Sequence, residues 1–146
     1  YHHQYIGIGG RLDTIQAAVL LAKLSNFKKE LNDRQRVADQ YTAKLSKAFQ
    51  TPVIKSKRTS AWAQYTLRVK NRDDLQLKLK DNSIPTSVFY PVPLNLQECF
   101  KYLNSSYGDY PISDKASKEV LSIPMNPFLN KHQIDYIVSH VIKLTL

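Results

Sequence analysis

Gly7-Ile8-Gly9-Gly10-Arg11-Leu12-Asp13-Thr14-Ile15-Gln16-Ala17-Ala18-Val19-Leu20-Leu21-Ala22-Lys23-Leu24 reads as a glycine-loosened turn running straight into a helix. Ile15, Ala18, Val19 and Ala22 keep the i, i+3, i+4, i+7 spacing of one helical face. Glycines let backbone N–H groups approach a ligand, and a helix start carries positive partial charge, so such a junction suits an anion. Taken alone, a glycine turn of this kind is more often a plain helix entrance, and Arg11 could equally pair with Asp13. It is not a dinucleotide fingerprint, because Leu12 stands where the third glycine is needed.

Working outward, Ser25 and Asn26 interrupt the first helix and can cap a second. Phe27, Leu31, Arg34, Ala38, Tyr41, Leu45 and Ala48 mark one face of that second helix, which the pattern ends before Thr51-Pro52. The chain then changes character. Ala61 to Lys70 alternates and is rich in strand formers. Asn71 is placed to cap a short helix carrying Leu75 and Leu79, and Ile84 to Tyr90 reads as a second strand. Pro91-Val92-Pro93 forces an extended exit, followed by a short helix over Gln97 to Leu103 and a loop from Asn104 to Pro111. Ser113 to Glu119 is helical, Val120 to Ile123 is a third strand, and Asn130 with Gln133 forms a capping box for a last helix buried through Ile134, Ile137, Val138 and Val141. Helices first, then strands alternating with short helices, predict an α+β fold with a small antiparallel sheet covered by helices.

The 146 residues carry a net charge of +9 from 21 basic and 12 acidic side chains. That balance suits nucleic acid, an anionic membrane surface or an anionic small ligand. The basic residues are scattered, however, and the densest patch, Lys55-Ser56-Lys57-Arg58, falls in a loop, which reads as a solvated surface. No apolar run is long enough to cross a bilayer, and Tyr1-His2-His3-Gln4-Tyr5 is not a signal peptide, so a cytoplasmic protein without membrane or nucleic-acid partners is expected.

Candidate chemistry is sparse. Cys99 is alone, which excludes an internal disulfide, and reads as a half-buried structural thiol. His132 and His140 lie too far apart on the last helix to bind one metal ion, and His2 and His3 sit near the N-terminal end, so no metal site is assigned. Trp62 and Tyr65 read as core or interface aromatics. In Phe89-Tyr90-Pro91-Val92-Pro93-Leu94-Asn95 the prolines make a rigid shelf from which Tyr90 and Asn95 can present polar tips, or simply a structural turn beside the core.

The opening segment resembles the G-x-N-x-R-L-D-x-x-Q-A-A segment of the DegT/DnrJ/EryC1/StrS family of pyridoxal-phosphate (PLP) sugar aminotransferases. The likeness runs from Tyr5 to about Lys143, through Trp62-Ala63-Gln64-Tyr65-Thr66-Leu67-Arg68-Val69, Ile84-Pro85-Thr86-Ser87-Val88-Phe89-Tyr90-Pro91-Val92-Pro93-Leu94 and Val120-Leu121-Ser122-Ile123-Pro124-Met125-Asn126-Pro127. The resemblance implies the type I (aspartate aminotransferase-like) fold. Residues 1–50 would be connecting helices and residues 51–146 the C-terminal small domain. It implies that the Schiff-base lysine lies outside this chain, in the large domain, and that no catalytic residue is carried here.

The resemblance further implies a homodimer whose active site lies at the subunit interface, a UDP- or dTDP-linked keto-sugar as substrate, and glutamate as the amino donor. The product would serve polysaccharide, lipopolysaccharide or related sugar assembly. Gly9, Gly10 and Arg11 would reach the cofactor phosphate in the partner subunit's active site, and Arg11, Phe89, Tyr90 and Asn95 would face the substrate. Gly9 replaces the family's usual asparagine, and Phe89 and Asn95 replace frequent histidines. A catalytically inactive relative with a binding or regulatory role, and a basic nucleic-acid module, are the alternative readings.

Overall fold

The computed structural model describes residues 2–7, 10 and 12–145. Asp13 and Gln16 build a capping box at the start of helix α1 (Thr14–Leu24), with the Asp13 N–H donating to Gln16 Oε1 at 3.3 Å. The Ser25 hydroxyl returns to the Ala22 carbonyl at 3.2 Å, and a two-residue turn leads into α2 (Phe27–Leu45). The apolar face expected on α1 is present but uncovered: no residue of this helix is buried.

α2 divides along its length. Phe27 is exposed, whereas Val37, Ala38, Tyr41 and Leu45 are buried. The helix stops at Leu45, short of the expected end. The Leu45 carbonyl there accepts the N–H groups of Ala48 and Phe49 at 3.0 and 2.9 Å, turning the chain and leaving Ala48 exposed. The lower half of α2 serves as the spine of the body. Arg34 donates to the Trp62 carbonyl at 2.9 Å, Arg36 to the Leu129 carbonyl at 3.1 Å, and Tyr41 Oη to the Pro124 carbonyl at 2.8 Å. Trp62 Nε1 donates to Gln35 Oε1 at 2.7 Å, and Lys44 pairs with Asp135. The hydrogen bond from Lys44 holds the Asp135 carboxyl below its usual range.

Strand β1 (Tyr65–Arg68) pairs antiparallel with β2 (Val120–Ile123), in the register Tyr65 to Ile123 and Arg68 to Val120. The expected strand over 61–70 thus shrinks to its centre, with Tyr65, Leu67 and Val69 turned inward. Between the strands lie α3 (Arg72–Asp81), 3-10 turns at Leu94–Leu96 and Glu98–Leu103, and α4 (Pro111–Glu119). Asn71 occupies the N-cap of α3 without a side-chain bond to the helix, so the expected cap is not made. Pro111 opens α4 at its first turn, where a missing N–H costs nothing.

The second strand expected over Ile84 to Tyr90 does not form. The Ile84 N–H is taken by the Leu79 carbonyl at the end of α3, at 2.9 Å, and Pro85 has no N–H to give. Only Ser87 pairs, exchanging bonds of 3.0 and 2.8 Å with Ser122.

The last helix, α5 (Lys131–Thr145), begins with the expected box: Asn130 and Gln133 exchange bonds of 3.0 and 2.9 Å. Ile134, Ile137, Val138 and Val141 are buried against α2 and α3, as the spacing predicts. Around Tyr41 and Tyr65, with ring centroids 5.1 Å apart, the core gathers Leu45, Trp62, Leu67, Leu121 and Ile134. Burial raises the pKa of both phenols, Tyr41 the more. Among the described residues the architecture is the expected α+β body, with the exposed helix α1 ahead of it.

Candidate functional site

The residues singled out in sequence fall into two segments, an arm before α1 and a shelf after α3. Gly9 and Arg11 lie outside the described residues. Gly10 is exposed, and a Cβ added to Gly7 would meet nothing within 4 Å. The start of α1 is a different matter. Its N-cap is Asp13, and a carboxylate there already meets the positive end of the helix. The first helical N–H groups are thus partly answered by this chain's own side chains.

On the shelf, Phe89 and Tyr90 stay together, their rings edge to face with centroids 5.7 Å apart. Phe89 is half-buried and lines a cavity of about 280 Å³ with Gln64, Thr86, Ser87 and Ser122. Tyr90 is 55% exposed. Asn95 goes elsewhere. It sits in the 3-10 turn Leu94–Leu96 and lines a separate apolar cavity of about 270 Å³ with Phe100, Leu103 and Tyr110. Its Nδ2 is buried without a hydrogen-bond partner, so the polar tip expected from the shelf points inward at this position.

Sequence reasoning passed over Gln97. This side chain is 5% exposed and lies between the two 3-10 turns. Its Oε1 accepts the His3 N–H at 3.1 Å, and its Nε2 donates to the Val92 carbonyl at 3.4 Å. The Cys99 N–H donates to the His3 carbonyl at 3.1 Å. The arm is thereby docked on the shelf. The partners are 94 positions apart in sequence, and no local pattern announces such a bond. Cys99 itself is half-buried, as expected. His132 is exposed, and His140 Nδ1 lies 2.8 Å from the Tyr136 carbonyl one helical turn back. Among the described residues no group of three or more His, Cys, Asp or Glu could hold a metal ion.

The sequence matches the DegT/DnrJ/EryC1/StrS aminotransferase family over residues 1–142. The chain belongs to that family. It is 42% identical over 138 residues to UDP-2-acetamido-2-deoxy-3-oxo-D-glucuronate aminotransferase of Pseudomonas aeruginosa, covering 94% of this chain and 38% of that protein. It is 39% identical to a pleiotropic regulatory protein of Geobacillus stearothermophilus, covering 97% of this chain and 39% of the relative. Among solved structures, a DegT DnrJ EryC1 StrS aminotransferase from Brucella abortus superposes with a TM-score of 0.85 at 38% identity, covering 96% of this chain and 38% of that one. S. venezuelae DesV superposes at 0.86 with 28% identity, covering 99% and 40%.

The chain thus spans about two fifths of the relatives it matches, with shares of 38% and 39% for the two proteins above. These family structures confirm the type I fold, of which this chain is a part. Among the described residues no helix is long and apolar enough to cross a membrane.

Proposed function

We propose that this chain is the C-terminal part of a PLP-dependent aminotransferase that moves an amino group from glutamate to a keto-sugar carried on UDP or dTDP. The observation that carries the reading is the family match over residues 1–142, joined to 42% identity with an aminotransferase acting on a UDP-linked 3-oxo sugar. Residues 1–50 connect and residues 51–146 form the small domain, against which Val37, Ala38, Tyr41 and Leu45 of α2 pack. The whole protein is a cytoplasmic homodimer in this reading.

When bound, PLP supplies the electron sink for the amino transfer. In this reading Gly9 and Gly10 offer backbone N–H groups to its phosphate, since glycine lets the backbone approach a ligand closely. Arg11 supplies the compensating charge, and a guanidinium binds phosphate or carboxylate through paired N–H groups. Asp13 keeps α1 capped without help from the ligand. Tyr90 presents its hydroxyl to the sugar, and Phe89 sets an apolar wall where a histidine is frequent in the family. Asn95 lies at a separate cavity from Phe89 and, with its Nδ2 buried, would act on the substrate only indirectly.

The test is to express the whole coding sequence, supply PLP, glutamate and a panel of UDP- and dTDP-linked 3-keto-sugars, and follow 2-oxoglutarate. Release that depends on one nucleotide sugar and on a single lysine upstream of this chain is the expected result. Absence of release across the panel, with that lysine missing, favours a regulatory protein instead. The 39% identity to a pleiotropic regulatory protein supports that second reading.

A further inference from the structure

We propose that Gln97 is a positioning residue that holds the arm leading into the glycine turn against the shelf carrying Phe89 and Tyr90. The idea rests on the reading of these segments as the phosphate side and the sugar side of one site. His3 is held at both backbone groups: its N–H by Gln97 Oε1 at 3.1 Å and its carbonyl by the Cys99 N–H at 3.1 Å. Residues 2–7 form no helix or strand, so this bonding fixes where the arm leaves the body. Through Nε2 the same amide reaches the Val92 carbonyl at 3.4 Å, between the two prolines of the shelf. One side chain thus sets the separation of two segments that no shared secondary structure connects.

The chemistry requires an amide. A carboxamide carries an acceptor and a donor side by side, which matches a backbone N–H on one flank and a backbone carbonyl on the other. A carboxylate can only accept, and would set a negative oxygen against the Val92 carbonyl. An apolar side chain of the same length offers neither bond. At 5% exposure, water does not replace what is lost, so the pairing is worth more than it would be on the surface. If the arm drifts from the shelf, the segment leading to the glycine turn and Tyr90 no longer keep their spacing, and substrate affinity suffers before the chemical step does.

Two variants of the whole dimeric protein test this from opposite sides. Gln97→Met removes both side-chain bonds at similar volume, and His3→Pro removes the backbone donor at an exposed residue. Each should raise KM for the keto-sugar by about 3- to 10-fold while kcat stays within about twofold, and the double variant should be no worse than the more affected single one. A merely structural glutamine would lower Tm and the active fraction while leaving KM unchanged. Unchanged KM in both variants overturns the proposal, and if Gln97→Met fails to fold, His3→Pro decides it.

Amide hydrogen exchange at His3 and Cys99 reads the clamp without any activity. It should quicken about 10-fold in Gln97→Met, and an unchanged rate overturns the clamp. Wild-type turnover decides the underlying reading separately. A whole protein with no transaminase activity removes the catalytic role, while the exchange rates still decide whether Gln97 docks the arm.

Discussion

Helices α1 and α5 are both rich in apolar residues, yet one is bare and the other is built into the core. α5 buries Ile134, Ile137, Val138 and Val141, while α1 buries nothing and leaves Ile15 at 79% and Leu21 at 72% exposure. Both are capped by their own side chains, Asp13 with Gln16 and Asn130 with Gln133. Local signals therefore start the two helices equally well. What differs is the surface opposite. A groove of about 660 Å³, lined by Leu12, Leu20, Leu21, Leu24 and Phe27, runs along α1 and its junction with α2. An apolar stripe shows that a helix face needs covering, and says nothing of what covers it.

The sharpest test of this contrast lies in α5. Ile134 is fully buried, so Ile134→Ala should destabilise the body by about 2–5 kcal/mol, read from urea unfolding. A loss no larger than that of an α1 substitution would erase the distinction between the two helices.

Next in size is an effect on binding rather than folding. In the whole protein, Arg11→Ala should weaken phosphate or substrate binding by about 1.5–3 kcal/mol, the range for a charge-assisted hydrogen bond. Titration calorimetry and steady-state KM would measure it, and the unfolding midpoint should not move. The chain by itself should form no borohydride-trapped PLP adduct at a single lysine. Such an adduct would place the cofactor lysine on the body and break the division of labour.

Alkaline pH sharpens the comparison from the body's side. Burial lifts the Tyr41 and Tyr65 phenols above their usual 10.0, so the folded state keeps both protonated longer than the unfolded chain does. The stability they contribute is fully present below pH 10.0 and is lost as pH rises from there through the higher folded values. Denaturation midpoints should fall above about pH 10. Tyr41→Phe removes the donor to the Pro124 carbonyl, costs about 1 kcal/mol at neutral pH, and should flatten that fall.

The smallest expected change is in α1. Leu20→Ala should alter the stability of this chain by no more than about 0.5 kcal/mol, because Leu20 is exposed. Sedimentation should nonetheless show concentration-dependent association of the parent chain that Leu20→Ala weakens. Equal association in the two would mean that the groove along α1 is not what draws copies together.

The body was more legible than the site. The Asn130 to Gln133 box, the α5 face and the strand at Val120 to Ile123 rest on short-range spacing, and each stands in the structure. The strand expected over Ile84 to Tyr90 fails because two of its first N–H positions are unavailable for pairing, one used by α3 and one absent at Pro85. The prolines at 91 and 93 suggest an extended exit from which Asn95 can present an outward tip, or a plain structural turn. The chain instead curls into a 3-10 turn immediately after Pro93 and takes the amide inside. Gln97 was invisible, because its significance lies in His3 and Val92 on either side of it in space.

The pairing of Ser87 with Ser122 has a consequence for how this chain behaves at high concentration. A two-stranded sheet has two outer edges, and an open edge offers its backbone to any passing strand. Here each edge meets an irregular segment: Gln50 bridges to Arg68 on one side, and Ser87 to Ser122 on the other. Irregular backbone cannot extend a ladder, so the sheet ends where these residues touch it. Among the described residues, each edge of the sheet is therefore blunted by one short contact rather than by a third strand.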